Sequence, residues 1–122
     1  MLKLLSITAI REIEALAVEE GIAEAEMMQR AGTALARSAA AYLRTLPSEI
    51  QQPRVTLLIG PGKNGGDGLV AGKVLAENTN ALVRFYLTRK RDDNPLMQPI
   101  LEAGHLVVMA SDDLRYRVLT QL

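Results

Sequence analysis

The sequence predicts an α/β protein in which two leading helices precede a three-layer, Rossmann-like parallel sheet with helices on both faces. Two observations carry this prediction. From Pro53 onward, strand and helix patterns alternate as β-α-β-α-β-α, which is typical of parallel sheets joined by right-handed crossovers. The first strand pattern runs directly into residues 60–68, where five of nine residues are glycine, and a helical pattern follows.

The two leading helices are predicted from apolar residues at helical spacing. Thr8 is the expected N-cap of the first helix, which extends to about Glu20 before Gly21 ends it. The second helix is expected over residues 23–45, because Pro47 cannot continue it.

The alternating part begins with Arg54–Ile59, an almost entirely apolar strand of the kind that is buried on both faces of a parallel sheet. The other expected elements are a helix over residues 67–78, a strand over Leu82–Leu87, a short helix over residues 95–103, a strand over residues 105–109 and a helix from Ser111.

Length and composition limit the function classes. A chain of 122 residues predicts one domain, residues 1–122. Its 14 basic and 14 acidic residues balance, which disfavours a nucleic-acid partner. The absence of cysteine excludes disulfides and thiolate metal sites. The apolar N-terminal stretch is too short for a signal peptide or a membrane span, so we expect a cytoplasmic protein without a membrane partner.

The glycine-rich segment, residues 60–68, predicts an anion site. Gly60, Gly62 and Gly65 match the dinucleotide-binding pattern, and the strand before and helix after them strengthen that match. Free backbone N–H groups and a helix N-terminus would meet there and favour a phosphate. The second strand is followed by residues 88–91 without the acidic residue that holds a ribose in dehydrogenases.

Polar residues near this segment each have two interpretations. Asp67 is a helix N-cap or a ligand to hydroxyls or a cation. Asn64 stabilises the turn or offers its amide oxygen to a hard cation. Lys63 is a solvated residue or a phosphate partner. Residues 89–91 are expected to be a solvated loop, with a phosphate contact as the alternative, and His105 is expected to be structural.

The glycine-rich segment also resembles a known family. Residues 60–71 are similar to the Gly-x-Gly-Asn-Asn-Gly-Gly-Asp-Gly signature of the YjeF N-terminal domain, the NAD(P)H-hydrate epimerases. Residues 27–32, Met-Met-Gln-Arg-Ala-Gly, resemble the Leu-Met-Glu-x-Ala-Gly segment of that family, and Thr8 fits the start of its first helix. The order and spacing agree over about residues 5–110.

The resemblance implies a Rossmann-like fold and the epimerisation of NADHX and NADPHX, a repair reaction on nicotinamide nucleotides. It implies a substrate loop formed by Lys63, Asn64, Gly65, Gly66 and Asp67, and a potassium ion bound by Asn64. It also implies a dehydratase, dependent on ADP or ATP, as a fused or separate partner.

Two departures from the family pattern shape our expectations. Lys63 stands where the family usually has asparagine, and the family's later Asp-Ala-x-x-Gly-Thr-Gly and Asp-x-Pro-Ser-Gly motifs do not occur. We therefore assign no catalytic residue, and we expect a domain truncated after the third strand with negligible activity alone. The strand Arg54–Ile59 would then be an apolar edge, which favours a homo-oligomer.

Two other functions stay open. A dinucleotide-binding module of a dehydrogenase would bind unmodified NADPH tightly without potassium. A non-catalytic scaffold of the same family would bind a protein partner without any response to nucleotide.

Overall fold

The computed structural model describes residues 6–19, 23–92 and 94–122. Its helices and strands are, in chain order, α1 (Ile7–Glu19), α2 (Glu24–Leu43), β1 (Arg54–Ile59), α3 (Lys63–Asn78), β2 (Leu82–Leu87), α4 (Asn94–Glu102) and β3 (Leu106–Met109), followed by three 3₁₀ turns at Ala110–Asp112, Leu114–Tyr116 and Leu119–Gln121.

The three strands form a parallel sheet in the order β1-β2-β3, which confirms the expected Rossmann-like α/β architecture. Ile59 pairs with Leu87, and Leu87 pairs with Met109, so the carboxyl ends of all three strands lie level. In the described residues β1 pairs with β2 alone and therefore lies at a sheet edge, as expected.

The core lies between the sheet and α3. Phe85 in β2 is fully buried, and a Cβ atom at Gly72 of α3 would overlap its ring. Met97 and Ile100 of α4 belong to the same buried cluster, and Ala36 joins it from α2, which packs on the outer side of α3. The layers are thus α2, then α3 with α4, then the sheet.

Helices on both faces of the sheet are not found in the described part of the chain. Both crossover helices, α3 and α4, pack on one face, because right-handed connections place helices on one side when the strand order advances in a single direction. The other face leaves Leu58 and Leu106 at 65% and 50% exposure. At its centre Tyr86 is covered, since its hydroxyl donates to Asp113, which lies between the first two 3₁₀ turns of the C-terminal 3₁₀ segment, residues 110–121.

Several predicted boundaries are wrong. Ser6, not Thr8, caps α1, because the Ser6 Oγ accepts the Ala9 N–H at 3.0 Å. The glycine-rich segment continues into α3, which begins at Lys63 instead of Asp67. The helix expected from Ser111 is a series of 3₁₀ turns, since Arg115 and Tyr116 adopt positive φ angles and interrupt it. Glu20 and Gly21 lie outside the described residues. No described helix has both the length and the apolarity to cross a membrane.

Candidate functional site

The site is built where β1 ends and α3 begins. Gly62 is the N-cap of α3, with an extended backbone and no side chain to accept a hydrogen bond. The first intrahelical bond runs from the Gly66 N–H to the Gly62 carbonyl. The N–H groups of the first three helical residues, 63–65, therefore have no acceptor within the helix. They concentrate the positive end of the helix dipole at this point, which is suited to an anion.

A cavity of about 980 Å³ opens beside this helix start. Its volume is near the upper end of small-molecule sites. α1 and the start of α2 form the wall opposite the loop. The lining residues are Ile7, Ile10, Arg11, Glu14, Ala15, Glu24, Met27, Leu58, Gly60, Gly62, Lys63, Asn64 and Gly65. The cavity thus combines an apolar surface with charged groups and with the bare backbone of the loop.

The predicted substrate residues divide into two groups. Lys63, Asn64 and Gly65 line the cavity, whereas Gly66 and Asp67 are not among the described residues that line it. Gly66 is buried, because Met28 of α2 packs against it: an added Cβ would lie 2.7 Å from the Met28 Sδ. This glycine is required for contact between α2 and α3.

Gly65 is required by the loop itself. A Cβ atom there would overlap the Gly60 carbonyl oxygen and the Arg91 guanidinium, so no larger residue fits without moving backbone. By contrast, a Cβ at Gly60 or Gly62 would meet nothing within 4 Å. Gly60 and Gly62 therefore leave open space that a ligand can approach.

Lys63 forms an ion pair with Glu24 at the start of α2. The hydrogen bond to Glu24 and its negative charge raise the pKa of Lys63. Both side chains are more than half exposed, so the pair is solvent-screened and breaks at little cost. Lys63 is thus a cation at the cavity rim that can exchange Glu24 for an anionic ligand. Sequence reasoning did not identify Glu24, which lies far away along the chain.

Asp67 lies in the second turn of α3, so its interpretation as an N-cap is wrong. Its side chain is partly buried. Burial, and then the charge of Glu14 across the cavity wall, raise its pKa. A carboxyl group with a raised pKa and a nearby negative charge is poorly suited to contact phosphate and better suited to hydroxyl groups.

Asn64 is exposed at the cavity and can offer one amide oxygen to a potassium ion. The described residues contain no group of three or more His, Cys, Asp or Glu side chains that could hold a metal ion. One amide oxygen is too few for a hard cation, which takes at least six oxygen ligands in proteins. The potassium ion at Asn64 therefore stays a prediction.

Arg91 contacts the site, and sequence reasoning missed this contact. Its Nη1 donates to the Gly60 carbonyl at 2.7 Å and to the Gly62 carbonyl at 2.8 Å. The interpretation of residues 89–91 as a solvated loop is therefore wrong for Arg91. The available signal was topological: Arg91 follows β2, and parallel neighbours bring the carboxyl ends of β1 and β2 to one edge.

Several curated proteins are similar to this chain in sequence. A bifunctional NAD(P)H-hydrate repair enzyme from Coxiella burnetii is 43% identical over 67% of this chain and 15% of its own length. An NAD(P)H-hydrate epimerase from Microbacterium testaceum is 38% identical over 85% and 37%, and one from Rhodobacter capsulatus is 33% identical over 86% and 49%. The chain thus spans less than half the length of each of these relatives.

A solved structure shares the fold. The crystal structure of a yeast protein superposes with a TM-score of 0.81 over 97% of this chain and 51% of that chain, at 23% identity. The family described as YjeF-related protein N-terminus matches residues 24–114, which include α2, the glycine-rich loop and all three strands. The chain therefore belongs to the YjeF-related protein N-terminus family.

Proposed function

We propose that this chain binds NAD(P)H-hydrate in the cavity beside α3 and forms part of an NAD(P)H-hydrate epimerase. The observation that supports this most directly is the helix start of α3, whose first N–H groups have no acceptor within the helix and belong to residues that line a cavity large enough for a nucleotide. The names of the relatives supply the ligand class.

Within this proposal the first turn of α3 binds the diphosphate of the nucleotide. Lys63 exchanges its exposed ion pair with Glu24 for a phosphate oxygen. The apolar wall formed by Ile7, Ile10 and Met27 covers the rest of the ligand and limits its contact with water. These groups bind and orient the substrate. We assign no described residue to the proton transfers that inversion of a stereocentre requires.

The direct test is titration of the purified chain with NADPH-hydrate and, separately, with unmodified NADPH. We expect saturable binding of NADPH-hydrate and clearly weaker binding of NADPH. The variant Lys63→Ala should weaken NADPH-hydrate binding roughly tenfold, because a charge-assisted contact is lost. Lys73→Ala is the matched control, since Lys73 is an exposed lysine of the same helix that pairs with Glu77.

Other outcomes of this titration identify the alternatives. Preferential binding of unmodified NADPH would replace the proposal with a dehydrogenase-type module. No nucleotide binding, together with capture of a protein partner, would favour a scaffold. Epimerisation by the purified chain is measured by separating the two epimers of NADPH-hydrate by chromatography.

We further propose that Asn64 supplies one oxygen ligand to a potassium ion whose other ligands lie outside the described residues. NADPH-hydrate affinity should then be higher in potassium chloride than in sodium chloride at equal ionic strength, and Asn64→Ala should remove that difference. Equal affinity in the two salts would contradict the potassium proposal and leave the nucleotide proposal standing.

Self-association and a functional partner complete the proposal. The edge strand β1 exposes Leu58, and such an edge favours pairing with a second copy. Sedimentation at increasing concentration should detect oligomers, and a monodisperse monomer would contradict this. Because two relatives are named bifunctional repair enzymes, we propose a dehydratase, fused or separate, that uses the epimerised product in the cytoplasm.

A further inference from the structure

We propose that Arg91 is a positioning residue that holds the glycine-rich loop, residues 60–66, in its ligand-binding conformation. Arg91 contacts the loop without being among the described residues that line the cavity. This inference rests on the proposed function in one respect, namely that the loop binds the diphosphate of a nucleotide.

The first argument is geometric. One nitrogen, the Arg91 Nη1, donates to the carbonyl oxygens of both Gly60 and Gly62, which lie on either side of Pro61. Pro61 fixes its own φ angle, and the two hydrogen bonds restrain the carbonyls that flank it. The turn between β1 and α3 is thereby restrained at the two carbonyls that flank Pro61.

The second argument is electrostatic. Carbonyl oxygens that turned toward the cavity would repel a phosphate. The guanidinium carries a positive charge, and it draws these two oxygens toward itself. The N–H groups of the first turn of α3 then dominate the field that an anion meets in the cavity.

The third argument is steric. The position that Arg91 occupies is also the reason for Gly65, because a Cβ at residue 65 would overlap both the Gly60 oxygen and the guanidinium. The position of the Arg91 guanidinium against Gly60 and Gly62 is therefore possible only with glycine at residue 65. In a dehydrogenase the region after β2 holds a ribose. Here Arg91 follows β2 and contacts the loop instead. We therefore expect the ligand to bind on the cavity side of the loop.

The test compares Arg91→Met, which keeps most of the apolar stem and removes the donors, with Arg91→Lys, which keeps a charge. Arg89→Met is the matched control, because Arg89 is exposed in the same segment. Amide hydrogen exchange of residues 66–68, the first amides of α3 that have acceptors inside the helix, is measured without ligand. We expect exchange to rise roughly tenfold in Arg91→Met, less in Arg91→Lys and not in Arg89→Met.

The second readout is binding of inorganic pyrophosphate and of NADPH-hydrate. Arg91→Met should weaken both roughly tenfold, and millimolar methylguanidinium chloride, but not sodium chloride, should restore part of the loss. If Arg91→Met does not fold, Arg91→Lys is judged by the same measurements. Exchange and pyrophosphate binding that match Arg89→Met would overturn the inference. If wild type binds pyrophosphate but not NADPH-hydrate, the proposed function fails and the exchange data still decide the role of Arg91.

Discussion

Asp67 and Asp113 are two carboxylates in opposite situations on opposite faces of the sheet. Asp113 is only 6% exposed, and it accepts hydrogen bonds from the Tyr86 hydroxyl and from the N–H groups of Val118 and Leu119. Asp67, on α3, is partly buried, and in the described part of the chain no donor contacts its carboxylate.

The pKa values follow these surroundings. Burial alone would raise the pKa of Asp113, but the donated hydrogen bonds together lower it below its ordinary value. At Asp67 burial acts without such donors, and Glu14 adds a negative charge, so its pKa rises. A carboxylate with satisfied acceptors stabilises a fold, whereas one without donors has its hydrogen-bonding capacity left for a ligand.

The largest expected effect is at Asp113. Asp113→Asn replaces one acceptor oxygen with a donor amide that faces N–H groups, so the 3₁₀ segment should detach from the sheet. We expect the Tm to fall by roughly 4–8 °C. Asp112→Asn, at the exposed neighbouring position, is the control and should leave the Tm unchanged. Equal Tm values for the two variants would show that Asp113 does not anchor the segment.

Tyr86→Phe should have the next largest effect, because it removes one of the donors to Asp113 and leaves the others. Burial and the hydrogen bond to Asp113 raise the pKa of Tyr86 to about 12. The unfolded chain loses that proton near pH 10, so wild-type stability should fall between pH 10 and 12. Tyr86→Phe should flatten this fall in denaturant titrations, and Tyr116→Phe, at an exposed position, should not.

Asp113 and Asp67 should contribute to stability with opposite signs at neutral pH, and acid should reduce both contributions. The lowered pKa of Asp113 gives stability that is present above its unfolded pKa and is lost as pH falls through the folded value. The raised pKa of Asp67 has the opposite effect, a cost at neutral pH that disappears as pH falls. The Tm difference between wild type and each Asn variant should therefore shrink in acid for both, from opposite signs. Differences of the same sign would refute the comparison.

The smallest effect on stability is expected for Asp67→Asn, a gain of at most about 0.5 kcal/mol, because solvent screens a partly exposed charge. The same variant should weaken NADPH-hydrate binding if Asp67 contacts hydroxyl groups of the ligand. A thermal shift assay and a binding titration on one preparation test both statements. A clear loss of stability would indicate that Asp67 has a structural role like that of Asp113.

The site was predictable in part, for identifiable reasons. Lys63, Asn64 and Gly65, which the family resemblance places in a substrate loop, line the cavity, and their contact with substrate stays a prediction. Gly66 was placed in the substrate loop, but it packs against Met28, and the loop pattern does not distinguish glycines that approach a ligand from those that pack against a helix. Asp67 was misplaced as an N-cap because the glycines continue the helix instead of preceding it.

The sequence by itself determined the parallel α/β fold and the position of the glycine-rich turn. Both follow from short-range patterns: apolar strand runs, helical periodicity and glycine after a strand. Only the tertiary structure decided which side chains complete that turn. Arg91 reaches Gly60 across 31 positions, and Tyr86 reaches Asp113 across 27. Such contacts depend on which strands are neighbours and which face a helix covers, and no local pattern encodes either.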